Sequence, residues 1–306
     1  MHRMDQPVAG AWQALVCDVA APRRPGLRVR VAGAGRLLLE QAGSPVLFAV
    51  VAADHGGVDY VRTGRFVGPV PPVRAAQARS VGPLATVSAR HAGTDDGGWH
   101  ARWAHRFATA LDATPLGPLH DGRWVISRPA TDPAVTPLSD DRGVVDWFAV
   151  RDPGQVLPLR RLAAVGDPRV RAYRKQVRDG TLAPVLLWWI SGLDCYVLLD
   201  GHDRLVAAHA EGRQPPVLAL SLASAWRADV ETEAALRHYE ATTERMRPLV
   251  EAGTAGAADA VVAVNRRYAA QLATIRSGHA PTRAWPLPGG SRRWSELARG
   301  YAVSSS

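Results

Sequence analysis

The sequence contains very little cysteine. Cys17 and Cys195 are the only two cysteines among 306 residues, which excludes a disulfide scaffold and favours a reducing compartment over an oxidising one. The ten histidines are scattered along the chain rather than grouped at ligand spacing. We therefore expect neither a zinc cage nor any other tight metal site.

Long apolar runs are also missing. The longest strongly apolar run, Pro184 to Ile190, is far short of the roughly 20 residues that cross a bilayer. Near the N-terminus, Val8 to Cys17 is only weakly apolar, contains Gln13 and is followed by Asp18 without a small-residue cleavage site. The sequence predicts no transmembrane helix, no secretory signal and a cytoplasmic location.

Lysine is almost absent, since 36 of the 37 basic residues are arginine. The net charge of +9 and the pI near 10.4 suggest nucleic acid as a partner. However, the charge is spread evenly, since residues 1–150, 151–222 and 223–306 each carry a net +3. A DNA-binding surface instead groups its basic residues so that they neutralise several adjacent phosphates. Only Arg160 to Arg178 is locally dense, so nucleic acid is the less favoured partner.

The first 145 residues predict a β-rich module. Val46–Ala53 and Tyr60–Val67 flank a glycine-containing turn and predict a hairpin. Trp99–Phe107 alternates at period 2, which favours a strand, although Trp99, Trp103 and Phe107 also have helical spacing. Further predictions are strands at Leu84–Ala89 and Arg123–Ser127 and a linker at Pro129–Asp141.

Residues 146–222 predict a small α+β domain. Asp167 precedes Pro168 at the start of a helix that ends before Gly180. The predicted order is a helix at Pro168–Arg178, a hairpin of Ala183–Ile190 with Cys195–Leu199, a helix at Leu205–Glu211 and a strand at Val217–Leu220.

Residues 223–306 predict a helical extension. One apolar stripe runs from Trp226 to Leu249 and a second from Ala257 to Ile275, with Gly253–Gly256 between them. This pattern predicts an antiparallel helical hairpin, followed by a short helix around Trp294. The fold class expected for the whole chain is α+β.

The segment Asp200-Gly201-His202-Asp203-Arg204 lies between a strand and a helix. Gly201 tolerates a conformation that turns backbone N–H groups outward at the helix N-terminus, where an anion is favoured. Arg204 would contact a bound phosphate, and His202 and Asp203 would orient the ligand or move a proton. Alternatively, the turn is only structural: Asp200 or Asp203 caps the helix, and Arg204 pairs with Asp167 or Glu211.

Several short motifs follow one another within residues 154–221. In order, they are Leu157-Pro158-Leu159, Asp167-Pro168-Arg169, Pro184-Val185-Leu186, Tyr196 to Leu205, and Pro216-Val217. In order and spacing these motifs resemble the ParB/sulfiredoxin-like superfamily, which includes proteins described as ParB-like nucleases. The resemblance implies a small α+β domain whose glycine-led box holds phosphates, with Asp200, Gly201, His202 and Arg204 binding the nucleotide or other phosphorylated ligand.

The resemblance also limits the activities that the protein is expected to have. Sulfiredoxins carry a reactive cysteine where this chain has His202, so sulfiredoxin activity is not expected. The implied cofactor is ATP or CTP, with or without Mg²⁺. A nucleotide hydrolase, a phosphotransferase and a nuclease all remain open, with His202 and Asp203 as the candidate catalytic residues. The alternative is a regulatory or DNA-associated binding protein without turnover, and the sequence does not indicate an oligomeric state.

Overall fold

The computed structural model describes residues 1–8, 11–20, 25–52, 57–84, 96–129, 135–146, 155–223, 225–262, 264–265, 268 and 281–301. Both helices and strands are present, in agreement with the predicted α+β class. The strands are β1 His2–Val8, β2 Ala11–Val19, β3 Leu27–Val31, β4 Arg36–Gln41, β5 Ser44–Ala52, β6 Gly57–Arg62, β7 Gly122–Ser127, β8 Thr136–Pro137, β9 Arg142–Asp146, β10 Gln155–Pro158, β11 Val185–Ile190, β12 Cys195–Asp200, β13 Val217–Leu222 and β14 Ala284–Pro286. The helices are α1 Ala75–Val81, α2 Asp96–Ala113, α3 Pro168–Arg178, α4 His202–Ala210, α5 Ala225–Glu251 and α6 Gly290–Ala298.

An eight-stranded sheet runs through the predicted central domain and beyond it. Its strand order is β1-β2-β7-β13-β11-β12-β10-β8. The pairing is mixed: β11 runs parallel to β13 but antiparallel to β12, and β7 runs antiparallel to both β2 and β13. The sheet therefore joins strands from both sides of the boundary predicted between residues 145 and 146, and β1, β2 and β7 extend the sheet of the central segment.

A second sheet of six strands has the order β14-β3-β4-β5-β6-β9. The predicted hairpin is confirmed, since β5 and β6 pair antiparallel with Phe48 opposite Val61. Its edge strand β14 comes from the segment expected to be helical and pairs parallel with β3. Three residues are too short for a period-2 pattern to be recognised, so only the tertiary pairing reveals this strand.

The prediction of a strand at Trp99–Phe107 is wrong, because these residues lie in helix α2. Trp99, Trp103 and Phe107 recur every four residues and are all buried in the core. His105, which the alternating pattern placed on the buried face, is instead partly exposed. Burying one continuous aromatic stripe outweighs the β-propensity of the individual residues.

The unit from Pro168 to Leu222 matches its prediction closely. The Asp167 side chain accepts a hydrogen bond from the Arg169 backbone N–H and caps α3, which has Pro168 in its first turn. β11 and β12 form the expected antiparallel hairpin. Helix α4 then follows β12 at once and leads to β13, so Gly201 lies at the junction of strand and helix.

The C-terminal segment is only partly described. Helix α5 is present, residues 257–262 are helical, and Tyr239 stacks on Tyr268 with ring centroids 4.4 Å apart. The end of the predicted second helix near Ile275 lies outside the described residues, as does most of the predicted strand Leu84–Ala89. The predicted short helix around Trp294 is confirmed as α6. Within the described residues, no helix has both the length and the apolar character needed to span a bilayer.

Candidate functional site

Gly201 fixes the geometry of the candidate site. It lies at the N-cap of α4 with φ +96°, a conformation that a residue with a Cβ atom resists. A Cβ placed there would lie 2.9 Å from Val185 Cγ1 and 3.1 Å from Val185 Cα. The Leu205 N–H donates to the Gly201 carbonyl at 2.8 Å and so forms the first helical hydrogen bond. Position 201 therefore requires glycine, in the backbone role that the sequence analysis expected of it.

A cavity of about 180 Å³ opens at this helix N-terminus. All five residues of the predicted box line it, which brings together every candidate that the sequence analysis named. The remaining lining comes from Leu199, which directly precedes the box, and from three other parts of the chain. The complete set is Gly68, Val70, Pro72, Arg160, Arg169, Tyr173, Leu199, Asp200, Gly201, His202, Asp203 and Arg204.

Arg204 lines the cavity and is held by its neighbours. Only 1% of the residue is exposed, and its Nη2 donates to Asp200 Oδ2 at 2.6 Å and to the Pro184 carbonyl at 2.9 Å. The carboxylate partner is thus Asp200, four residues earlier at the end of β12, and neither Asp167 nor Glu211. This guanidinium ties β12 to the start of β11 and α4, so its hydrogen-bonding capacity is already partly used.

Asp203 draws two arginines to the rim of the cavity. Arg160 Nη2 donates to Asp203 Oδ1 at 2.8 Å, and Arg169 Nη1 lies 3.6 Å from Asp203 Oδ2. The Asp203 side chain is 8% exposed, whereas those of Arg160 and Arg169 are 37% and 61% exposed. Asp203 therefore positions two cations that solvent and a ligand can still reach.

His202 is buried in the cavity wall with a polar atom left over. It is 3% exposed, its ring centroid lies 5.9 Å from that of Phe66, and its Nε2 has no hydrogen-bond partner among the described residues. Burial lowers the pKa of His202 well below its usual value, and the nearby charges of Arg160, Arg204 and Arg62 lower it further. The imidazole is accordingly neutral at pH 7.

The charge around the cavity favours an anion. Three guanidinium groups, on Arg160, Arg169 and Arg204, face two carboxylates, on Asp200 and Asp203, which leaves one positive charge beside a neutral His202. At the N-terminus of α4 the first backbone N–H groups have no acceptor within the helix, and the positive end of the helix dipole lies there. The arrangement can bind a phosphate or a carboxylate.

Sequence reasoning missed Arg160 as a site residue, along with the segment from Gly68 to Pro72. The local density of basic residues from Arg160 to Arg178 was the available signal for Arg160. No sequence pattern indicated that Gly68, Val70 and Pro72 reach the cavity, because that contact depends on the tertiary fold. Among the described residues, no group of three or more His, Cys, Asp or Glu side chains is arranged so that it could hold a metal ion.

The basic helix α3 is partly neutralised on one face. Arg174 Nε and Arg178 Nη1 both contact Glu211 Oε1, at 2.6 and 2.8 Å. These two contacts reduce the continuous positive potential that a phosphate backbone would need. Arg169 remains directed toward the cavity through Asp203.

Neither thiol has the character of a nucleophile. Burial raises the pKa of Cys17 to about 11 and that of Cys195 to about 12, so both are protonated at neutral pH. Cys195 lies at the start of β12, at the opposite end of the strand from Gly201.

Comparison with known proteins gives no further guide. No family model, curated protein or solved structure matches this chain.

Proposed function

We propose that this protein binds a phosphorylated ligand, a nucleotide such as ATP or CTP, at the N-terminus of α4, in the manner of the ParB/sulfiredoxin-like proteins that residues 154–221 resemble. The observation that carries the proposal is a cavity that combines three kinds of phosphate-binding group. These are the backbone N–H groups that follow Gly201, the two reachable guanidinium groups of Arg160 and Arg169, and the unpartnered Nε2 of His202.

In this proposal each residue has a distinct role. Arg160 and Arg169 contact the phosphate oxygens, because they are partly exposed and already converge on the cavity. His202 Nε2 supplies or accepts one hydrogen bond. Arg204 and Asp200 act beneath the ligand and hold the turn in shape. Any Mg²⁺ would be bound mainly by the phosphates, since the carboxylates of Asp200 and Asp203 are both paired with arginines.

Binding without turnover is the second candidate function. The pairing of Asp203 with Arg160 and Arg169 favours it. A general base must contact the reacting group, yet both carboxylate oxygens of Asp203 already face guanidinium groups. Burial, together with the charges of three nearby arginines, also lowers the pKa of His202. The pocket would then act as a regulatory or DNA-associated binding site. Catalysis by a hydrolase, phosphotransferase or nuclease mechanism requires Asp203 to be released from Arg160 and Arg169 when the ligand enters.

Calorimetric titration tests the binding proposal. ATP, CTP, GTP and inorganic phosphate are titrated, with and without Mg²⁺, into the wild type and into Arg160→Ala and Arg169→Ala. Each substitution should weaken binding by about ten- to a hundredfold, the value of one hydrogen bond to a charged group. Arg171→Ala is the matched control, because it removes an exposed arginine of the same helix that does not line the cavity.

The possible outcomes separate the alternatives. The proposal fails if the wild type binds no nucleotide and no phosphate. Binding that survives the Arg160→Ala/Arg169→Ala double substitution would locate the site elsewhere. Release of inorganic phosphate or cleavage of DNA on incubation, lost in Asp203→Asn, would favour an enzyme over a binding protein.

A further inference from the structure

A second, larger cavity lies beside the candidate phosphate site. Its volume is about 430 Å³, within the range of about 300–1,000 Å³ that small-molecule sites occupy, whereas the cavity at Gly201 is below that range. The smaller cavity can hold a charged group but is too small for most whole ligands. The larger one has room for the remainder of a molecule.

The two cavities share a wall. Val70 and Pro72 line both of them. The Tyr173 hydroxyl, which belongs to the phosphate cavity, donates to the carbonyl of Val73, which belongs to the larger one, at 3.2 Å. The segment from Val70 to Val73 is therefore held between the two cavities and contacts both.

The larger cavity is mainly apolar. Its lining includes the buried rings of Trp103 and Phe107 and the small side chains of Ala110 and Ala113, with polar groups such as His105 and Arg106 among them. These residues lie on α2 and belong to the N-terminal part of the chain, outside the segment that resembles a known family. The lining suits a flat, largely apolar group.

One polar atom in this lining lacks a partner. Trp103 is 2% exposed, and its indole Nε1 has no hydrogen-bond partner within the described part of the chain. A buried indole N–H usually finds an acceptor, and leaving it unpaired has a cost. Trp99 shows the usual arrangement, because its Nε1 donates to the Gly82 carbonyl at 3.1 Å.

We infer that the cavity between α2 and the Val70–Val73 segment binds the ring of the same ligand whose phosphate lies at Gly201, and that this ring carries a hydrogen-bond acceptor for Trp103. The inference rests on the proposed function. The ligand class is thereby narrowed to phosphorylated compounds with a planar, acceptor-bearing heterocycle, which include nucleotides and exclude simple sugar phosphates.

Ligands matched in their phosphate test this inference. AMP, ribose 5-phosphate, hexyl phosphate and inorganic phosphate are titrated calorimetrically into the wild type and into Ala110→Phe, which fills the cavity from α2. Ala241→Phe, at an exposed position on α5, is the matched control. AMP should bind the wild type at least about fivefold more tightly than ribose 5-phosphate, and Ala110→Phe should remove that difference while leaving ribose 5-phosphate unchanged.

The results distinguish the two proposals. If phosphate and ribose 5-phosphate bind but the base adds nothing, the ring site is wrong and the phosphate site stands. Hexyl phosphate binding as tightly as AMP would assign the cavity to a hydrocarbon chain and overturn the ring proposal. If none of the four binds, the ring site is wrong, and the proposed function fails as well if ATP, CTP and GTP also do not bind. A Trp103→Phe variant that binds AMP as well as the wild type would contradict the role of the indole N–H.

Discussion

Replacing Arg204 should damage the fold more than the binding of a ligand. Its guanidinium is almost fully buried and donates to Asp200 at 2.6 Å and to the Pro184 carbonyl at 2.9 Å. Arg204→Ala removes the cation that pairs with Asp200, whose side chain is 13% exposed. It also leaves a void next to Gly201. Breaking a buried ion pair by removing one partner costs about 3–5 kcal/mol.

That loss is large beside the total stability of a domain, which is about 5–15 kcal/mol. Urea denaturation of the wild type, Arg204→Ala, Asp200→Ala and the double variant gives the coupling between the two side chains. The double variant should lose about 2 kcal/mol less than the sum of the single losses, because it leaves no unpaired charge. Arg169→Ala is the matched control: its side chain is 61% exposed, so its loss should stay below about 1 kcal/mol. Equal losses for Arg204→Ala and Arg169→Ala would refute a structural role for Arg204.

Three further predictions concern the same turn. Gly201→Ala should destabilise the protein by more than the roughly 1–2 kcal/mol of a left-handed alanine, because the new Cβ meets Val185. Gly212→Ala is its control, with φ +64° and nothing within 4 Å; equal unfolding free energies for the two variants would contradict the contact with Val185. Because folding depresses the pKa of His202, the unfolded chain takes up the proton first. The free energy of unfolding should therefore fall as the pH drops below about 6.5, by up to about 1.4 kcal/mol per pH unit. Chemical denaturation at several pH values measures this dependence, which His202→Gln should remove. Asp167→Ala removes the cap of α3 and should cost about 1 kcal/mol in the same assay, and no measurable loss would show that the cap is redundant.

The parts of the fold that could be predicted depend on signals between near neighbours. Asp167 before Pro168, a glycine after each helix and the Asp-Gly turn after an apolar strand act over a few residues, so α3, the β11–β12 hairpin and Gly201 were placed correctly. The spacing of Trp99 and Trp103 fits both the period of a strand and that of a helix. Only the surface available for packing in the folded protein decides between the two structures. No local pattern could have shown that strand β14 joins β3.

The candidate site shows the same division. The box from Asp200 to Arg204 could be identified because its turn chemistry is contained in five consecutive residues. The partners of these residues could not be identified from the sequence, because they are distant along the chain. Arg160 and Asp203 are 43 residues apart, and Val70 and Pro72 precede α2. The sequence analysis therefore assigned the phosphate contact to Arg204, whereas the geometry makes Arg160 and Arg169 the accessible cations.

Anion binding at the N-terminus of α4 can be followed at the His202 ring itself. Protein labelled with ¹⁵N-histidine is titrated with inorganic phosphate and then with ATP, and the His202 signals are assigned from their loss in His202→Gln. We expect the Nε2 resonance of His202 to shift on titration and the shift to saturate, and we expect Arg160→Ala to move the midpoint to higher ligand concentration. A His202 resonance that stays unchanged while other histidines shift would contradict an anion site at the N-terminus of α4.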